Sequence, residues 1–310
     1  PHILQEVAGI AAGSGQPYRT VLLANLAQEL SQFLPTAVPV VGCTDCHVLT
    51  PDVSAWGHTE DVVGASAEGW GYIVHSTLLE AADTDEATGQ RAAAVAAYTG
   101  FAYAGCVAGW AWGFNMHGVA QSINALTPSS LSVGLAASFV SRNVLDATSL
   151  DDAVARCSVP GHGGGQRFNL GSVAEPDRRL LIECSPRGCE IRQLQPGERC
   201  AACNVYMLTP ALEGRKGPYA ESSHRRSARV EQMVQQRSAP GESSLEWICQ
   251  VLFDASDGEF PIWRSGKAPD YASTDHMVLF DMRAGRARVH RKEGSTRGQQ
   301  RTPQHDFAIR

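Results

Sequence analysis

Residues 42–46, Gly-Cys-Thr-Asp-Cys, decide how this chain is read. A residue without a side chain precedes a cysteine, and the cysteine opens a run, 43–49, with the texture of a β-strand. An amidohydrolase that makes its own nucleophile needs this arrangement. Scission between Gly42 and Cys43 makes Cys43 the first residue of a new chain, its thiol the nucleophile and its own α-amino group the base. An α-amino group titrates near pH ~7.7–8.0, well below lysine, and so accepts the thiol proton at neutral pH. Other cysteine nucleophiles borrow a separate histidine. A Gly-Cys pair alone is a weak signal; it gains meaning from what surrounds it.

Upstream, residues 2–12 read as a helix. Residues 18–34 carry apolar side chains at helical spacing up to the stop at Pro35, and 35–42 (PTAVPVVG) form a linker. The chain opens on Pro1 rather than Met, inside its first helix, so a preceding segment is expected and targeting stays open. Downstream the texture changes. Segments 43–49, 54–60, 70–79, 93–99 and 118–126 are short and rich in strand formers. A helical pair follows at 133–146 and 150–158, with Asp151 and Asp152 in the first turn of the second, where the helix dipole favours negative charge. The turn GHGGG (161–165) leads to strand-like runs at 166–173, 178–184 and 188–194. Helices at 221–237 and 243–253, the second capped by Ser243 or Ser244, precede strands at 276–282 and 286–291. Strands and helix pairs come in blocks, without βαβ alternation. This predicts an α+β architecture of antiparallel sheets covered by helices rather than a doubly wound sheet.

With 310 residues, 43% hydrophobic and 19% charged, the chain has material for a sizeable core. A net charge of −6 gives no electrostatic footprint for nucleic acid. Arg286, Arg288, Arg291, Lys292, Arg297 and Arg301 are interspersed with Gly, Gln and Thr and read as a solvated tail. The most apolar stretch, 91–114, is punctuated by Gly100, Gly105, Gly109 and Gly113, so no membrane span is expected, and no signal peptide is visible. Nine cysteines, an odd number scattered along the chain, argue for reduced thiols and a cytoplasmic setting; Cys106, Cys157, Cys184 and Cys249 read as small core residues.

Several other readings compete. Cys43/Cys46 and Cys200/Cys203 are two CxxC pairs, and structural zinc would follow if the fold joined them. A thioredoxin-like role needs CxxC at a βα junction, whereas Cys43 begins a strand. GHGGG lacks the Lys-Ser/Thr of a phosphate cradle. His58, His75, His117, His162 and His224 show no tight metal spacing and read as surface or hydrogen-bonded histidines. No GxSxG elbow is present. Asp61 lies eighteen residues after Cys43. If 43–49 and 54–60 form a hairpin, Asp61 returns near the nucleophile, to hold its ammonium or a cationic substrate; otherwise it is a turn aspartate. Asn204 is an oxyanion donor or a loop cap. Arg264 orients a carboxylate such as Asp61, or lies on the surface.

In order along the chain, GCT (42–44), GHTED (57–61), GWAWGFNMHGVAQSINAL (109–126), SPRG (185–188), PGERCAACNVY (196–206), ESSHRR (221–226) and DASDGEFPIWR (254–264) resemble the penicillin acyltransferase family of cysteine N-terminal nucleophile hydrolases. The likeness extends over about 1–293 and leaves 294–310 unplaced. It implies a four-layer αββα sandwich in which residues 1–42 are the helical C-terminal part of an α-chain and 43–310 a catalytic β-chain, the two staying associated after autocleavage. It further implies Cys43 as nucleophile and base, Asp61 supporting the amine, Asn204 lining the oxyanion hole and Arg264 pairing with Asp61. Arg225 and Arg226 match a basic pair of undefined role. Trp263 stands where the family has a cysteine. The implied reaction is hydrolysis of an amide through a Cys43 thioester, with a cationic β-alanyl acyl part and a biogenic amine, dopamine or histamine, as leaving group. Glu60, Asp45, Asn115 and His117 are the expected substrate contacts, with Glu60, Asp61 and Asp45 as alternatives for the ammonium. Acyl transfer by the same machinery and a zinc-stapled non-enzymatic protein are the alternatives. No cofactor, resident metal, nucleic acid or membrane is expected.

Overall fold

The hairpin that opens on Cys43 forms as expected. A computed structural model describes residues 2–33, 42–63, 71–79, 94–236, 243–291 and 303–309. In it β1 (Cys43–Leu49) pairs antiparallel with β2 (Ser54–Val63), from Cys43↔Glu60 to Leu49↔Ser54. Three helices precede it: α1 (His2–Ser14), α2 (Tyr18–Asn25) and α3 (Ala27–Phe33). After it come β3 (Gly71–Leu79), β4 (Ala94–Tyr103), β5 (Trp112–Asn115) and β6 (Val119–Leu126), then α4 (Ala137–Val144) and α5 (Leu150–Cys157). Strands β7 (Gly165–Ser172), β8 (Leu180–Ser185), β9 (Gly188–Gln193) and β10 (Arg199–Ala202) lead to α6 (Pro218–Gln235) and α7 (Ser244–Leu252). Strands β11 (Ala272–Asp281), β12 (Arg286–Arg291) and β13 (His305–Ala308) close the order.

The strands make two antiparallel sheets, one ordered β10-β1-β2-β11-β12-β13 and the other β3 through β9 in sequence. Three apolar cores separate four layers. Val140, Val144, Leu150, Ala153 and Cys157 of α4 and α5 pack on Ile123, Phe168 and Ile182 of the second sheet. Trp247, Ile248 and Val251 of α7 and Val230 of α6 pack on Cys46, Val48, Met277 and Leu279 of the first. Trp56, Phe280 and Val278 face Phe101, Trp112 and Phe114 between the sheets. This is the αββα sandwich, an α+β fold, with a dry outer core on each side and a mixed polar and aromatic middle.

Local chemistry accounts for several ends. Ser243 accepts from the Glu246 amide while Glu246 reaches back to the Ser243 amide, a capping box that settles the choice between Ser243 and Ser244. Ser149 caps α5 ahead of Asp151 and Asp152. The helix expected over 18–34 breaks at Leu26, because the buried Asn25 side chain donates to Gly105 O and accepts from the Val107 amide, pinning the chain to a distant loop. The linker expected at 35–42 lies, but for Gly42, outside the described residues.

Two expectations are overturned. Arg286, Arg288 and Arg291 do not belong to a solvated tail: they sit on β12, where Arg286 and Arg288 pair with Asp306 of β13 and Arg291 with Asp275. Lys292, Arg297 and Arg301 fall outside the described residues. Nor are all cysteines free: Cys184 and Cys189, directly opposite across the β8–β9 hairpin, form a disulfide. Among the described residues no helix is long and apolar enough to cross a membrane.

Candidate active site

Strand geometry sorts the residues around Cys43 onto two faces. Side chains alternate along a strand, and residues directly opposite across an antiparallel pair share a face. Cys43, Asp45, Glu60 and His58 therefore point together into the space between the sheets. Thr44, Cys46 and Asp61 turn the other way, toward the helical layer. The Gly42–Cys43 peptide stands at the mouth of β1, between the two groups.

On the inner side, Cys43 Sγ lies 3.3 Å from Ile123 O, with Asn204 Nδ2 at 3.0 Å and Asn124 Nδ2 at 3.4 Å. Asn204 Oδ1 accepts the Cys43 amide at 2.9 Å, so one carboxamide holds both the sulfur and the backbone nitrogen. Behind the sulfur runs a buried ionic chain: His58 Nδ1 bonds Asp45 Oδ2 and His58 Nε2 bonds Glu60 Oε2, both at 2.9 Å. Asn124 and Ser122 donate to Asp45, and the Tyr103 hydroxyl donates to Glu60. Burial alone would lower the His58 pKa, but Asp45 and Glu60 outweigh it and raise it to about 10, so this imidazole is an imidazolium at neutral pH. Asp45 is held below the usual carboxylate range: burial opposes this, and the His58 charge and hydrogen bond prevail. Burial, with Glu60 and Asp45 adding to it, pushes the Cys43 thiol up in the intact chain. Before scission the site therefore holds a thiol rather than a thiolate.

On the helical side three guanidinium bonds lock the junction. Arg226 donates to Cys43 O at 2.9 Å, Thr44 Oγ1 at 2.6 Å and Asn204 Oδ1 at 3.0 Å. Arg264 donates to Asp61 Oδ2 at 3.2 Å and, through Nε, to Asp270 Oδ2 at 2.8 Å. Thr274 Oγ1 donates to Asp61 Oδ1 at 2.7 Å, and the Asp61 amide donates to Gly42 O at 3.0 Å. A Cβ on Gly42 would overlap the Arg264 guanidinium and lie 3.2 Å from Asp61 Oδ2 and 3.3 Å from Arg226 Nη2. A side chain here would have to displace the Arg264 guanidinium from the bonds it makes with Asp61 and Asp270.

The structure thus brings Gly42, Cys43, Asp45, Glu60, Asp61, Asn204 and Arg264 into one cluster. Asn115 and His117 are not in it. Asn115 donates to Leu145 O and Ala147 O and accepts from the His117 and Val119 amides, so it ties the β5–β6 turn to the end of α4. His117 sits exposed in that turn. Five residues of extended strand separate Val119 from Asn124, about 16 Å at ~3.3 Å per residue. Trp263 packs against Phe253 in the helix-side core. Arg225 faces outward to Asp257 and Glu259. Asn124, Thr274, Asp270, Ser122 and Tyr103 escaped sequence reasoning; they come from three places along the chain, and only pairing β11 with β2 and stacking β4 and β6 of the other sheet over the β1–β2 hairpin gathers them.

The two CxxC pairs do lie on neighbouring strands, β1 and β10. Residues three apart on a strand face opposite ways, so Cys43 enters the inter-sheet site while Cys46 joins the helix-side core. Among the described residues these four thiols do not converge as a metal cluster.

Known proteins resemble this chain in sequence and in fold. Residues 48–295 match the family described as acyl-coenzyme A:6-aminopenicillanic acid acyl-transferase. The chain is 21% identical over 300 residues to the beta-alanyl-dopamine/carcinine hydrolase of Drosophila melanogaster, covering 92% of this chain and 74% of that protein. A variant of conjugated bile acid hydrolase from Clostridium perfringens superposes with a TM-score of 0.50 at 10% identity, over 82% of this chain and 90% of that one. A Caenorhabditis elegans ortholog of N-acylethanolamine-hydrolyzing acid amidase gives 0.48 at 12% identity, over 78% and 93%.

Proposed function

The chain belongs to the acyl-coenzyme A:6-aminopenicillanic acid acyl-transferase family, and from that premise we propose that it is a self-processing cysteine amidohydrolase with Cys43 as nucleophile. The observation that carries this reading is the Gly42–Cys43 junction itself: a glycine against which the Arg264 guanidinium packs, and a sulfur and nitrogen held by one carboxamide. In the precursor the thiol attacks the Gly42 carbonyl, polarised by the Asp61 amide. The C–N bond breaks, a thioester forms, and water releases the Gly42 carboxylate and the Cys43 thiol. The freed α-amino group then takes the thiol proton, the thiolate attacks the substrate carbonyl, and the amine departs with that proton. Asn204 Nδ2, already aimed at the reacting sulfur, stabilises the oxyanion. Asp61, held by Arg264 and Thr274, steadies the new ammonium. Water resolves the second thioester.

The substrate we assign is an N-β-alanyl amine. A cationic acyl group needs a carboxylate within reach of Cys43. Asp45 and Asp61 are fully enclosed, whereas Glu60, directly opposite Cys43 in the sheet, retains 5% exposure. Glu60 is the ammonium acceptor. Cleavage yields pieces 1–42 and 43–310 that stay together through the contacts of α1 to α3: Val7, Ala11 and Val21 pack with Val107, Glu6 pairs with Arg142, and Gln28 donates to Gly165 O.

The test is intact-mass analysis of purified protein followed by turnover of β-alanyl-dopamine and carcinine. We expect a larger fragment beginning at Cys43 and hydrolysis that disappears, with cleavage, in Cys43→Ala. An uncut chain, or a Cys43→Ala protein that still hydrolyses, overturns the reading. The family's description as an acyl-transferase favours one variant, in which an amine rather than water resolves the thioester; product ratios with added amine acceptors separate the two.

A further inference from the structure

A second cluster of reactive groups lies on the far side of the β3–β9 sheet, under α5, in the outer core opposite the Cys43 side. Cys184 and Cys189 stand across the β8–β9 hairpin from each other, and His162 projects from the GHGGG turn above them. The three ligand atoms lie within 4.8 Å of one another, with Cys189 Sγ 3.7 Å from His162 Nε2. For tetrahedral zinc, with Zn–S of about 2.3 Å and Zn–N of about 2.0–2.1 Å, neighbouring ligand atoms stand roughly 3.5–3.8 Å apart.

A fourth atom completes the polyhedron. Cys157 is the last residue of α5, and its carbonyl lies past the helix's final hydrogen bond. That oxygen faces the same three groups, 3.0 Å from His162 Nε2, 3.3 Å from Cys184 Sγ and 3.9 Å from Cys189 Sγ. His162 Nε2 and the two sulfurs thus surround a single carbonyl at the negative end of a helix, where a cation is favoured.

We propose that Cys184, Cys189 and His162, with the Cys157 carbonyl as fourth ligand, form a zinc site whenever the Cys184–Cys189 disulfide is reduced. Two electrons from a dithiol or a phosphine open the disulfide to two thiols. Zn²⁺ then displaces their two protons to solvent and stays divalent. The disulfide and the zinc site are alternative staples for one place, the junction of the β8–β9 hairpin, the end of α5 and the 161–165 turn. Neither CxxC pair takes part, and the inference stands independently of what Cys43 does.

The experiment uses the full chain, reduced with a phosphine and freed of metal, titrated with Co²⁺ as a spectroscopic stand-in and then with Zn²⁺. We expect one equivalent of Co²⁺, with thiolate-to-metal charge-transfer absorption and the d–d intensity of a tetrahedral site, displaced by Zn²⁺. His162→Gln should weaken affinity by more than the roughly 10–100-fold that loss of an outer-shell partner costs. The Cys184→Ser, Cys189→Ser double variant should lose the band, and the unreduced disulfide form should bind no metal. If that double variant fails to fold, Cys189→Ser alone at the half-buried position reads the same band. No stoichiometric uptake by the reduced chain, or uptake unchanged by His162→Gln, overturns the proposal.

Discussion

Gly42 and His58 show how much one residue decides here. A Cβ at Gly42 would push the Arg264 guanidinium out of its present place beside Asp61. We expect Gly42→Ala to slow scission at least ~100-fold, the cost of about 1 Å of misplacement at a reacting centre; band ratios over time on a denaturing gel check it. His58 occupies a different position in the argument. The sequence marks it only as a histidine within a strand, a surface or hydrogen-bonded group, and the structure buries it between two carboxylates that raise it to about 10. The sign follows from linkage. An unfolded histidine releases its proton near pH ~6.5, while the folded one keeps it to about 10. The stabilisation is full below about 6.5 and is lost as pH climbs toward about 10. Urea midpoints should fall across that window, and His58→Gln should flatten the fall; an unchanged slope would count against a protonated His58. That Cys43, Asp61, Asn204 and Arg264 cluster was expected from their types and motifs. Asn124 and Thr274 were not, since an asparagine or a threonine within a strand looks the same whether it packs or positions a nucleophile.

Elements were legible where local chemistry is self-sufficient. The α7 start needs only Ser243 and Glu246, and Ser243→Ala should cost ~1 kcal/mol in denaturant unfolding, with little change in turnover. The strand run 43–49 was read to the residue because turn residues bound its far end. Elements that depend on partners escaped. The RCAA run of β10 and the HDFA run of β13 are four residues each, too short to show a period, and become strands because β1 and β12 offer them free edges. The α2–α3 break was hidden for the same reason: Asn25 leaves the helix pattern only because Gly105 and Val107 stand ready to bond it.

At the scale of the molecule, two sheets meet face to face and each turns its other side to a helix pair, so the inter-sheet space holds both aromatic core and buried charge. The N-terminal helices dock on this body rather than standing apart. In the cleaved protein we expect residues 1–42 to co-elute with 43–310, and Val7→Asp, which places an unpaired carboxylate in the Val7–Val107 contact, to release them on size exclusion. The sequence by itself determined the layered α+β class and the strand at 43–49, and singled out the Gly-Cys junction at its start, because periodicity, caps and a dipeptide act over a few neighbours. Only the tertiary structure decided that Asn115 and His117 stand away from the Cys43 cluster, that Asp45 and Glu60 bracket His58, and that Cys184, Cys189 and His162 gather around one helix end. Each of those depends on which strand lies beside which, and strand neighbours far apart in the chain are chosen by burial and hydrogen bonding over the whole fold rather than by any local run of residues.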